Sequence, residues 1–294
     1  MKGRGALVAL LGVLALAVGL WELSGRGPLN PALGPASAAA EDIAASTATV
    51  YVSLRIINAA LSTAQEIEIG ASVGAQASLQ PLKVLEPVDD TVERVADVVF
   101  AVAAGAALAT VGFAPVAALG LCLFGLGCLL RVADDLLVAI DGMRAAAGYA
   151  MRLGAVLGVV LPLGFAGGVA LGERITEPQW TEAMASLDDV TREARILVGS
   201  GIAAELEDAS ETPVADEMPP SWWDPRAWIG DDITEAVAAL GRYREAAVLL
   251  MSQADELFRA SLTIIGIFAL RTLVLPALLL WGALALMRRS AGAG

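Results

Sequence analysis

Arg271 interrupts the run IFALRTLVLPALLLWGALALMRR (267–289), which otherwise has the length and apolarity of a membrane crossing. An ionised group held in hydrocarbon is costly and tends to mark an ion or substrate path, whereas one at the bilayer edge can snorkel its charge to the headgroups. Two readings of Arg271 follow. In the first it sits at the outer boundary and reaches headgroups or an acid of an adjoining bundle. In the second it lies deeper, is paired with Asp97 of the apolar 91–112 stretch, and belongs to a pore. The chain has no histidine, so a Ser-His-Asp triad, a His-ligated metal and a histidine pH switch are excluded. Cys122 and Cys128 lie in LGLCLFGLGCLL with nothing polar around them and read as small packing residues rather than a redox pair. Asp134, Asp135 and Asp141 sit in RVADDLLVAIDGMR with Arg131 and Arg144, the composition of a solvated helical face rather than a Mg²⁺ site. No cofactor and no metal are expected, and the chain reads as a non-enzyme.

The elements that position these residues are set by apolarity. Of 294 residues 57% are hydrophobic, too many for an ordinary soluble domain. A net charge of −13 argues against nucleic acid as a partner, since binding it needs clustered Lys and Arg. Four segments approach the roughly 20 residues needed to cross a bilayer, at about 5–22, 114–131, 153–172 and 268–287. The first follows a basic start, and the small-residue pattern PASAAAED lies well beyond its end, so it reads as an uncleaved signal anchor. Lys2, Arg4, Arg131, Arg144, Arg152, Arg288 and Arg289 fall on one side of four spans, and most of the acids fall on the other. By the positive-inside rule both termini are cytoplasmic and two large acidic loops face outward, into the periplasm of a bacterium.

The division is then an anchor span over 1–22, a first periplasmic segment over 23–113, a transmembrane hairpin over 114–172, a second periplasmic segment over 173–267, and a last span with its tail over 268–294. The apolar 91–112 stretch reads as a juxtamembrane helix, with a re-entrant half-helix as the alternative. Ile43, Thr47, Val50, Leu54, Ile57, Leu61 and Ala64 recur at steps of four and three. So do Trp180, Met184, Leu187, Val190, Ala194 and Leu197, and then Ile233 through Leu257. Such seams seek a partner helix and predict an antiparallel, coiled-coil-like bundle outside the membrane. EIEIGASVG alternates apolar and polar residues as a short β-ribbon or an extended connector would, and Asp90 with Glu93 has the spacing of a capping box. Trp222, Trp223 and Trp228, in an acidic Pro-containing segment, read as a hydrophobic clasp or as a partner contact. Gly154, Gly158, Gly164, Gly168 and Gly172 permit close helix approach, and Pro162 and Pro276 are candidate kink sites.

The stretches LEPVDDTVERVADVVFAVAAGAALATVG and IIGIFALRTLVLPALLLWGAL resemble a family of proteobacterial multi-pass inner-membrane proteins without an assigned function. The resemblance implies a bacterial inner membrane and a polar, not necessarily charged, residue at position 271. It supplies no chemistry. The expected protein is mostly α, with four spans and a periplasmic bundle that acts as a scaffold toward an envelope partner. The alternative is a homo-oligomeric pore or transporter.

Overall fold

The computed structural model describes residues 2–71, 86–136, 142–198 and 252–292. Their regular structure is helical throughout: α1 (Lys2–Leu23), α2 (Leu33–Ala71), α3 (Glu86–Leu136), α4 (Met143–Ala155), α5 (Leu161–Val198), α6 (252–269) and α7 (Leu275–Gly292). One π turn, Val156–Val160, joins α4 to α5, and another, Leu270–Val274, joins α6 to α7. Trp222, Trp223, Trp228, Asp141 and the seam from Ile233 to Leu250 lie outside the described residues.

The four-span expectation is corrected. Five helical stretches are long and apolar enough to cross a membrane: Gly5–Leu23, Leu33–Ser62, Val88–Leu136, Met143–Ile196 and Ser252–Arg289. The additional one is the first part of α2. Its seam reads as the apolar stripe of a water-facing helix, but the alanines at 38–40, 44–45 and 59–60 make the rest of its surface nearly as apolar. Two local readings change as well. α2 continues to Ala71, so Ile67, Ile69 and Ala71 are helical rather than part of a ribbon. α3 begins at Glu86, which places Asp90 and Glu93 inside the helix instead of at its cap. α3 also carries the 91–112 stretch and the 114–131 span in one piece, with Pro115 inside it.

The chain divides into two compact units. The first contains residues 1–46, 102–177 and 266–294, and the second contains 47–101 and 178–265.

In the first unit glycines set the helix spacing. A methyl group on Gly12 would lie 2.8 Å from Cys128 Cβ, and one on Gly19 would lie 2.6 Å from Cys122 Sγ, so α1 runs antiparallel to α3 at close range. Both cysteines are free and serve as packing surface. Gly120 meets Gly158, and Gly154 meets Phe124, which brings α3 against α4 and its π turn. Gly164, Gly168 and Gly172 face Leu280, Pro276 and Arg271. The small residues thus allow close packing within the protein, where dispersion contacts replace the missing hydrophobic drive. α2 follows α1 along α3 in the same direction: Leu33, Ala36 and Ala40 cluster with Phe113 and Ala117, and Ile43 packs with Ala106 and Val169. The Phe113 and Phe165 rings are 5.0 Å apart.

In the second unit part of the expected seams is buried, while Trp180 and Met184 are half-buried. Thr47, Val50, Leu54, Ile57 and Leu61 are at most 1% exposed, as are Leu187 and Ala194, while Val190 and Leu257 reach 2%. Steps of three and four put one apolar stripe on each helix, and burial of that stripe is the main stabilisation such helices obtain.

Candidate functional site

Polar groups enter the first unit at three places. At the first, Arg271 lies in the π turn between α6 and α7 and is only 8% exposed. Its Nε donates to Thr176 Oγ1 at 2.8 Å, and Thr176 Oγ1 donates to the Gly172 carbonyl at 2.8 Å. Glu173 and Glu177, also on α5, are the carboxylates that attract the guanidinium. A methyl on Gly172 would sit 2.7 Å from Arg271 Cγ, so the missing side chain is what admits the arginine stem. Asp97, the partner of Arg271 in the deeper of the two sequence readings, is exposed and belongs to the second unit.

At the second place, Asp134 and Asp135 at the end of α3 pair with Arg144 at the start of α4, at 3.0 Å and 2.9 Å. The Asp134 side chain is 3% exposed and Arg144 is largely in the open. These ion pairs therefore tie the end of α3 to the start of α4. Among the described residues no three His, Cys, Asp or Glu side chains gather to hold a metal ion.

The third place was not singled out from sequence. Between α1 and α2 the chain leaves helical geometry for residues 24–32, with Gly25 at φ 72° and Gly27 at φ 102°, a conformation that costs glycine little. Glu22 Oε1 accepts from the backbone N–H groups of Leu29 at 2.9 Å and Asn30 at 2.6 Å, which closes the break back onto α1. Asn30 is 5% exposed. Its Oδ1 accepts from Ala32 N at 3.1 Å, at the start of α2, and its Nδ2 donates 2.7 Å to the Gly158 carbonyl. Gly158 lies in the π turn, and residue 162, four positions ahead, is a proline with no N–H to offer its carbonyl. Asn30 supplies the donor that Pro162 lacks. The only signal in the sequence was the orphaned carbonyl implied by Pro162. Nothing pointed to a partner 128 positions away.

The depth of this break follows from the helix register. Arg271 faces Gly172, and Glu173 and Arg174 follow it, forming one charged layer. Arg152 on α4 and Arg288 with Arg289 on α7 form another. Along the helix the two are about 30 Å apart at 1.5 Å per residue, the thickness of a hydrocarbon core. Between them the π turn and α7 expose Leu273, Leu278, Trp281 and Leu286, at 56–71%. Gly158, to which Asn30 is tied, lies inside this interval, about 9 Å from Arg152 along the helix.

In the second unit, Gln179, Glu182 and Ser186 of α5 and Asp255, Glu256 and Arg259 of α6 line a groove of about 540 Å³. Ser186 Oγ donates to Glu256 at 3.1 Å, and Gln253 donates to Glu193 at 3.2 Å. Three carboxylates against one arginine give the groove an acidic character that suits a basic surface.

These features define a mostly helical, multi-pass integral membrane protein. Comparison with protein-family models, with curated proteins and with solved structures finds no match for the chain.

Proposed function

We propose that the protein is a non-enzymatic scaffold of the bacterial inner membrane, which offers its second unit to another envelope protein. The observation that carries this reading is the acidic groove of α5 and α6, set on helices whose seam positions Leu187, Val190, Ala194 and Leu257 are already buried. A helix pair with its apolar stripe satisfied and its charges facing a groove is suited to binding a partner without refolding. In this reading the basic C-terminal tail with Arg288 and Arg289 is cytoplasmic and the groove is periplasmic, in keeping with the positive-inside rule. The partner presents lysines or arginines, so the contact weakens as salt rises.

The test is site-specific photo-crosslinking from Gln179 and Ser186 in intact cells, repeated with Glu182→Lys and Glu256→Lys. A discrete, stoichiometric adduct to a basic envelope protein, lost on charge reversal, supports the scaffold. Ion flux through the purified wild-type chain in liposomes, with no adduct in cells, sinks it and favours the pore.

A further inference from the structure

We infer that the partner held by the acidic groove anchors a tyrosine side chain in a second, smaller cavity of the same unit, between the start of α3 and α6. The inference rests on the scaffold reading for the partner, and on the cavity itself for the tyrosine. The cavity measures about 120 Å³. Its floor is Val92, Leu257 and Ser261, at 2–3% exposure, while Val88, Asp255 and Phe258 are less buried and stand at its mouth. Asp255 also lines the groove, so a chain lying in the groove passes the mouth of the cavity.

Ser261 is the group that points to a ligand. A serine or threonine within a helix can hand its hydroxyl to the carbonyl four residues back, and Ser46, Thr110, Thr176, Thr191 and Thr272 all do so. The Ser261 Oγ is buried and has no hydrogen-bond partner among the described residues. A buried hydroxyl left unmatched is costly, so an occupant that brings a matching polar atom to the floor gains by it.

Size and lining narrow the occupant. Pockets for free small molecules run to roughly 300–1,000 Å³, well above this one, whereas a single side chain suits it. Water is held poorly, because an ordered water needs about two to four polar partners and the floor offers one hydroxyl. A leucine or phenylalanine would fill the walls and leave Ser261 unmatched. A lysine would set its charge against one hydroxyl, too little to offset the lost hydration. A tyrosine meets each requirement, with its ring against Val92, Leu257 and Phe258 and its phenol oxygen at Ser261 Oγ. The same ring covers Phe258, which is 47% exposed, and aromatic anchors seated in pockets dominate the energetics of many interfaces.

The test separates the cavity from the groove. N-acetyl-tyrosinamide, N-acetyl-phenylalaninamide and N-acetyl-leucinamide are titrated into the full-length protein in nanodiscs and followed by ligand-observed NMR. The tyrosine amide is expected to bind about three- to tenfold more tightly than the others, the worth of one neutral hydrogen bond, and Ser261→Ala should erase that advantage. Ser261→Ala removes an unmatched group and should unfold no earlier than the wild type, while Ala254→Phe, which fills the cavity, should weaken all three amides. The groove is then read with a lysine-rich peptide carrying one tyrosine, whose binding Glu256→Lys should abolish while the tyrosine amide still binds. Equal affinities for the three amides, or a tyrosine advantage that survives Ser261→Ala, overturns the anchor and leaves the groove reading standing. A tyrosine amide that binds while the peptide does not sinks the groove reading, and with it the assignment of the tyrosine to a basic partner. A lipid that co-purifies in the cavity by native mass spectrometry, and that no amide displaces, overturns the inference as well.

Discussion

Asn30 and Pro162 should be energetically coupled although the sequence keeps them far apart. Asn30→Ala removes the 2.7 Å bond to the Gly158 carbonyl and the 3.1 Å bond that Oδ1 accepts from Ala32 N, at a site 5% exposed. Leaving a buried acceptor without a donor costs about 1–3 kcal/mol, and hydrogen bonds between membrane helices average nearer 0.6. With the first turn of α2 also losing a side-chain acceptor, we expect a total of about 2 kcal/mol. Pro162→Ala returns an N–H to the helix, where it can serve Gly158. In that background Asn30→Ala should cost only about 1 kcal/mol, the part owed to Ala32. The measurement is a double-mutant cycle by reversible unfolding in mixed detergent micelles or by steric trapping. A coupling below about 0.3 kcal/mol, the level of independent sites, would refute the account of Asn30 as the replacement donor.

Gly168→Ala brings a methyl to 2.5 Å from Pro276 N and should destabilise the first unit by about 1–3 kcal/mol, whereas Gly105→Ala, with open space at its Cβ, should stabilise it by about 0.5–1 kcal/mol. The same unfolding assay separates the two. Thr176→Val deprives Arg271 of its acceptor and should cost about 1–3 kcal/mol, while Arg271→Gln, which keeps a donor, should be better tolerated than Arg271→Leu in membrane accumulation and unfolding. Arg144→Gln leaves Asp134 at 3% side-chain exposure without its cation, so it should lower stability, and Asp134→Asn should restore much of the loss.

Much of the fold was legible because its signals are local. The buried seam positions from Thr47 to Leu61 and from Leu187 to Ala194 follow from spacing alone, and the glycine steps of α4 and α5 announced close packing. Apolarity also announced the membrane, but it did not separate a bundle helix from a crossing one. α2 was misjudged because a heptad seam on an alanine-rich helix satisfies both templates. Pro115 suggested a boundary that α3 passes through, since a helix held by neighbours can absorb one missing N–H. The least legible features were the partners. Thr176 for Arg271 and Asn30 for Gly158 are joined only by folding, 95 and 128 positions apart, and a single sequence carries no trace of such distances.

The π turn at Val156–Val160 also explains why the glycines of one continuous helix serve two neighbours. Gly154 and Gly158 address α3, and Gly164, Gly168 and Gly172 address α7. Each set keeps a step of four, but six positions separate them, so the ladders are out of phase. An extra residue held in a π turn shifts everything beyond it by about 100° around the axis. The turn thus acts as a phase shifter. Deleting one residue other than Gly158 from 156–160 would remove the extra residue, so a regular α-helix would still carry the second ladder, and the face that seats Arg271, toward α7.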